Sequence, residues 1–150
     1  MGKIVPLRSA NLGEFDCGNS SLNRWFRIHA SQNEAAGFSR TYVMEHDGQI
    51  IGFYSLSAAA VDLEPSALGV ESAPDQIPAI LLGRMAVAKG YQGLGVGKRL
   101  LADASLVVKS VAKYVGATVL LVHPKKDAVD YYRKLGFHRL DSLDALYLRI

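Results

Sequence analysis

Three glycines alternate at Gly93, Gly95 and Gly97, behind one apolar run and ahead of a long helical pattern. In front, Ala79-Ile80-Leu81-Leu82-Gly83-Arg84-Met85-Ala86-Val87 reads as a short buried strand. Behind, Gly97, Leu100, Leu101, Ala104, Val107, Val108, Val111 and Val115 recur at the spacing of one buried helix face. A strand, a glycine loop and a helix in that order bring free backbone N–H groups and a positive helix end to one point. That combination holds phosphate. Glycine serves it because a Cβ would hinder close backbone approach and because some of these N–H directions need a positive φ.

Spacing excludes two common phosphate motifs. A P-loop ending at Gly97-Lys98 needs glycine where Gln92 stands, and Ser or Thr where Arg99 stands. A G-x-G-x-x-G fingerprint would need its third glycine at Lys98 or Leu100. Q-x-x-G-x-G, from Gln92 to Gly97, does fit, and it resembles the acetyl-CoA pyrophosphate loop of the GNAT N-acetyltransferase superfamily. A glycine-rich turn kept for packing alone would give the same short pattern.

With 150 residues the chain reads as a single domain, 1–150, large enough for one core. Hydrophobic content of 49% and charged content of 21% are those of a globular protein. No apolar run is long enough for a membrane span, and Met1-Gly2-Lys3-Ile4-Val5-Pro6 lacks a signal-peptide core. A single cysteine, Cys17, can form no internal disulfide, which fits the cytoplasm. The histidines are scattered, so no metal site is expected. Net charge is +3, and it is unevenly spread: Arg84, Lys89, Lys98, Arg99, Lys109 and Lys113 face only Asp103 between Arg84 and Gly116. Such a balance suits an anionic ligand, with nucleic acid as a further partner; a solvated helix face explains Lys109 and Lys113 equally well.

Read in order, Lys3 to Arg8 forms an edge strand that tolerates Pro6. Phe15 to Ser20 is turn chemistry with Asn19 or Ser20 as helix N-cap. The helix that follows carries Leu22, Trp25, Phe26, His29 and Ala30 on one face and ends near Gly37. Asp47-Gly48 between two strand-like runs predicts a hairpin, its second strand extending to Val61. Glu64 to Pro78 reads as a connecting loop, and Gly116 as the cap of the long helix. Ala117 to His123 is a buried strand, Asp127 to Leu135 a short helix, and Phe137–Leu140 and Ala145–Ile150 are closing strands.

This order matches the GNAT arrangement over nearly the whole chain. The resemblance implies an α/β (α+β) fold, with a mixed central sheet of about six or seven strands, splayed parallel central strands and about four flanking helices. It implies acetyl-CoA as cosubstrate: the backbone of Met85, Ala86 and Val87 pairs with the pantetheine and meets the thioester carbonyl. Gln92, Gly93, Leu94, Gly95, Val96 and Gly97 then hold the pyrophosphate, aided by Lys98 and Arg99. Tyr132-Arg133-Lys134-Leu135-Gly136-Phe137 is similar to the family's Y-x-x-x-G-F, which makes Tyr132 the acid that protonates the departing thiolate; a core tyrosine is the plainer alternative. From reference values that transfer is uphill by about 2 kcal/mol, so it must be late, concerted or assisted.

The acceptor side carries fewer signals. Leu81 to Met85 offers no carboxylate, and His123 is one candidate base. An α-amine of pKa ~7.7 is roughly one-sixth neutral at pH 7, whereas a lysine at ~10.4 is neutral only about 0.04% of the time. A missing base therefore favours an α-amine. Phe15 to Trp25, Ala30 to Glu34, Gly37 to Val43 and Gly83 to Val87 resemble the GNAT toxins of type II toxin–antitoxin pairs. That resemblance implies acetylation of the α-amine of aminoacyl-tRNA, inhibition of translation, a ribbon-helix-helix antitoxin as partner and a homodimer. It makes Arg24, Arg27, Arg84 and Lys89 candidate contacts to tRNA phosphates. An ordinary GNAT acting on a small-molecule or protein amine is the near alternative, and a non-catalytic CoA- or nucleic-acid-binding module the distant one.

Overall fold

The computed structural model describes residues 1–8, 12–140 and 144–150. In chain order its elements are β1 (Lys3–Pro6), α1 (Ser20–Arg24), a π-helical turn (Trp25–His29), α2 (Ala30–Ala36), β2 (Arg40–His46), β3 (Gln49–Val61), β4 (Ile77–Val87), α3 (Val96–Val111), β5 (Val119–Val122), α4 (Val129–Lys134), β6 (His138–Arg139) and β7 (Leu146–Arg149). The seven strands form one mixed sheet in the order β1-β2-β3-β4-β5-β7-β6. The chain divides into two compact units, one of Met1–Ser57 with Gly83–Ala104, the other of Ala58–Leu82 with Ser105–Ile150.

In the first unit β1 lies antiparallel to β2 at the sheet edge, where the missing N–H of Pro6 breaks no ladder. The predicted hairpin forms: Asp47 (φ 49°) and Gly48 (φ 75°) turn the chain between β2 and β3. Asn19 caps α1, its side chain accepting from Leu22 N–H at 3.0 Å. The core is aromatic. Phe26 stacks on Phe53 with centroids 4.3 Å apart, and Phe15 meets Phe53 edge-on at 5.4 Å. One expectation fails here: His29 is exposed, while Ala30 is fully buried. The π-helical turn widens the helix by one residue and so rotates His29 off the buried face.

The second unit packs Val61, Leu63, Ile77, Val119, Leu121 and Tyr147 into its core. β5 pairs in parallel with β4 from Ala79↔Val119 to Leu82↔Val122, and antiparallel with β7. Leu82 pairs with Val122, the last residue of β5, and β4 runs on beyond that pairing to Val87. Three expectations are corrected. Glu64 to Pro78 is not loop throughout: Pro65–Leu68 forms a 3-10 turn with Leu68 buried, and β4 begins at Ile77. The helix α3 ends at Val111, not Val115, and Gly116 is not in the left-handed conformation of a cap. Three-residue hydrogen bonds (Lys113 N–H to Ser110, Tyr114 N–H to Val111) tighten the end, and Val111 and Val115 are exposed. Apolar period without a surface to cover does not extend a helix.

Candidate functional site

In the first unit β4 delivers Met85, Ala86 and Val87 to a 3-10 turn, Lys89–Tyr91, from which the glycine loop runs into α3. Gly93 (φ 78°) and Gly95 (φ 83°) are left-handed, and a Cβ at either would meet nothing within 4 Å. Glycine is required here by backbone conformation, and the loop's outer face is open. Arg99 N–H donates to the Gly95 carbonyl at 3.2 Å. The N–H groups of Val96, Gly97 and Lys98 therefore precede the first intrahelical bond and have no partner inside α3. Left-handed glycines followed by unpaired helix N–H groups make an anion-binding concavity, so these residues fit a diphosphate.

A hydrogen-bonded clamp that local pattern does not reveal holds this loop. The Gln92 amide donates to two carbonyls, Val87 and Cys17, each at 2.9 Å. Lys89 N–H donates to the Asp16 carbonyl at 2.9 Å, and the Lys89 ammonium lies 3.6 Å from the Asp16 carboxylate. That carboxylate accepts from Gly18 N–H and from the Asn23 amide, both at 2.9 Å, while Asn23 Oδ1 accepts from Cys17 N–H at 2.8 Å. The Gly18 and Asn23 bonds hold the Asp16 carboxyl below its usual range. The Asp16–Asn23 turn thus fixes both ends of the loop's approach. The sequence marks Phe15 to Ser20 as a turn, but nothing in it points across to Gln92.

The predicted phosphate-facing cations separate by use. Arg27 donates through Nε to the Phe15 carbonyl at 2.9 Å, and Lys89 belongs to the clamp. Arg99 donates to the Gly2 carbonyl at 3.1 Å and touches the Met44 sulfur, so its guanidinium secures the amino-terminal segment. Lys98 and Arg24 are exposed. The Arg84 guanidinium lies 4.5 Å over the Trp25 ring, and burial lowers its pKa. Its backbone N–H donates to Ser55 Oγ at 3.1 Å. Trp25 also stacks on Phe53 and is buried, which makes it part of the core. A further hydrogen bond, from buried Tyr54 to Oδ2 of the half-buried Asp103 at 2.5 Å, joins β3 to α3.

In the second unit α4 carries Tyr132, 7% exposed and set edge-on to Tyr131 and Phe137 at 5.5 and 5.4 Å. Burial, with a smaller contribution from Tyr131, pushes its phenol up to about 12. It is therefore fully protonated at neutral pH. His123, just past β5, is exposed. Among the described residues no three His, Cys, Asp or Glu side chains gather as metal ligands would, and no helix is long and apolar enough to cross a membrane.

Comparison with known proteins bears on these features. Residues 37–139 match the model of the acetyltransferase (GNAT) domain family. A tRNA-acetylating toxin of Mycobacterium tuberculosis is 35% identical over an alignment covering 99% of this chain and 92% of the relative. The solved structure of AtaT complexed with acetyl-methionyl-tRNAfMet superposes with a TM-score of 0.88 at 26% identity, covering 99% of this chain and 95% of that one. A tyrosine-to-phenylalanine mutant of the AtaT toxin, bound to the C-terminus of the antitoxin AtaR and acetyl-CoA, gives 0.84 at 29%, covering 99% and 92%.

Proposed function

Because the chain belongs to the GNAT acetyltransferase family, and so is an N-acetyltransferase with acetyl-CoA as donor, we propose that it is a toxin that acetylates the α-amine of aminoacyl-tRNA and thereby blocks translation. The observation that carries this reading is the 35% identity to a tRNA-acetylating toxin along essentially the whole chain. The absence of a carboxylate between Leu81 and Met85 supports it, since an α-amine needs less help to lose its proton than a lysine does.

In this reading the N–H groups of Val96, Gly97 and Lys98, with the loop from Gln92 to Gly95, hold the diphosphate, and the Lys98 ammonium adds charge. The Met85–Val87 backbone receives the pantetheine and polarises the thioester carbonyl. The cosubstrate supplies an activated acetyl group: the amine nitrogen bonds to its carbonyl carbon, the C–S bond breaks, and the amine releases a proton to solvent. Tyr132 gives its phenolic proton to the leaving sulfur. With the phenol at about 12 and a free thiol at ~8.5, full transfer is uphill by about 5 kcal/mol, so the proton moves as the C–S bond breaks. Exclusion of water, which raises the phenol, raises a thiolate in the same direction and narrows that difference. Arg24 and Arg84 contact RNA phosphates, whereas Arg27, Lys89 and Arg99 act mainly by fixing the scaffold. Two copies of the chain and an antitoxin of ribbon-helix-helix type complete the assembly, in the cytoplasm where charged tRNA is found.

The test is to incubate the purified protein with labelled acetyl-CoA and total aminoacyl-tRNA. Label on the aminoacyl nitrogen is the expected result. Label on a polyamine or a peptide, with none on aminoacyl-tRNA, overturns the tRNA assignment and leaves an ordinary N-acetyltransferase.

A further inference from the structure

The second unit carries a pocket of about 480 Å³ that has no part in the chemistry above. It is built on α4 and β7, with Val129 and Leu146 among its apolar lining residues. Around them stand Lys125, Lys126, Arg133 and Arg139, together with the carboxylates of Asp130 and Asp144. All six charged residues are exposed. Among the described residues the ion pairs are Arg40–Glu34, His46–Asp47 and Lys89–Asp16, so the acids here neutralise none of the four cations by direct contact.

Its volume falls in the ~300–1,000 Å³ range of small-ligand sites. Four cations outnumber the two carboxylates, which leaves a net positive rim, and guanidinium pairs are suited to phosphate oxygens. The two carboxylates can accept hydrogen bonds from sugar hydroxyls, which RNA has in its 2′-OH and DNA lacks. We propose that this pocket seats one ribonucleotide of the RNA substrate, its phosphate on Arg133, Arg139 and the two lysines, its base and sugar against Val129 and Leu146, and a ribose hydroxyl on Asp130 or Asp144. This rests on the aminoacyl-tRNA reading, and it adds a contact region on the helix that bears Tyr132, apart from Arg24 and Arg84 of the first unit.

The experiment uses the full chain, labelled uncharged tRNA and a salt titration from about 50 to 300 mM. In the Arg133→Gln/Arg139→Gln variant, tRNA binding weakens about tenfold, and the slope of log K against log salt becomes shallower by about 0.7 to 0.9 for the lost phosphate contact. KM for acetyl-CoA stays at the wild-type value. Lys125→Gln/Lys126→Gln moves both readouts the same way, so the result does not hang on one variant's folding. Asp130→Asn/Asp144→Asn narrows the preference for an RNA acceptor-arm hairpin over its DNA copy. A wild-type slope in both cationic variants overturns the assignment. So does a change confined to KM for acetyl-CoA, which gives the pocket to the donor's phosphate, or one confined to antitoxin affinity, which makes it a partner surface. A wild-type enzyme that acetylates other amines but no aminoacyl-tRNA removes the functional reading first, and the pocket's assignment with it.

Discussion

At the scale of single residues, Tyr132 is the group whose surroundings say most about the reaction. A buried phenol held at about 12 keeps its proton throughout the range in which the enzyme works. Tyr132→Phe removes the proposed acid but little volume: kcat is expected to fall by about 10²–10⁴, while acetyl-CoA affinity measured by calorimetry stays within twofold. The proposed α-amine acceptor and Tyr132 acid predict that wild-type kcat/KM rises with pH as an amine of pKa ~7.7 deprotonates, then stays level to about pH 10, where the phenol is still protonated. The same shift has a stability consequence. Unfolded tyrosine releases its proton near ~10 and the folded Tyr132 near about 12, so between these values the unfolded state binds fewer protons and stability falls as pH rises. Tyr132 alone accounts for a loss of about 2 kcal/mol by pH ~12. Burial and the bond to Asp103 raise Tyr54 further still and steepen the fall. Urea denaturation at pH 9 and at pH 11 checks this, with Tyr132→Phe showing a shallower decline than wild type.

At the scale of elements, the loop and the turn that clamps it have separable effects. Gly95→Ala forces an alanine into the left-handed region at a cost of about 1–2 kcal/mol, although its Cβ meets no neighbour. Relaxing that strain turns N–H groups away from the proposed diphosphate position, so acetyl-CoA binding should weaken at least tenfold, about 1.4 kcal/mol. Gly90→Ala is the control: it has an ordinary φ and open space around its Cβ, and should bind as wild type does. Asn23 is buried and joins Asp16 to Cys17 N–H, so Asn23→Ala should destabilise the fold by about 1–3 kcal/mol. It should also raise KM for acetyl-CoA more than it lowers kcat, because Gln92 loses its fixed anchor at Cys17. Elements governed by local chemistry were legible in advance, among them the Asp47-Gly48 hairpin and the Asn19 cap. The π-helical turn was not. An inserted residue leaves composition unchanged, and its signature, the exposure of His29 beside buried Ala30, exists only once the helix is packed on Phe53.

At the scale of the whole molecule, the toxin reading predicts that induced expression arrests growth, that Tyr132→Phe does not, and that radiolabelled amino-acid incorporation falls before cell density does. Growth unaffected by the wild-type chain would return it to the ordinary N-acetyltransferases.

Local pattern alone encodes the strand–loop–helix frame, the alternation at Gly93 and Gly95, and the spacing from Tyr132 to Gly136. Each is dictated by short-range sterics or by periodicity within a few residues. How the charges are used depends on the folded chain. Arg27 turns to the Phe15 carbonyl, Arg99 to Gly2 and Lys89 to Asp16, while Lys125, Lys126, Arg133 and Arg139 gather at one pocket. A lysine or arginine reaches far along a flexible stem, so its partner is set by what folding brings within hydrogen-bond distance, and no local pattern encodes that.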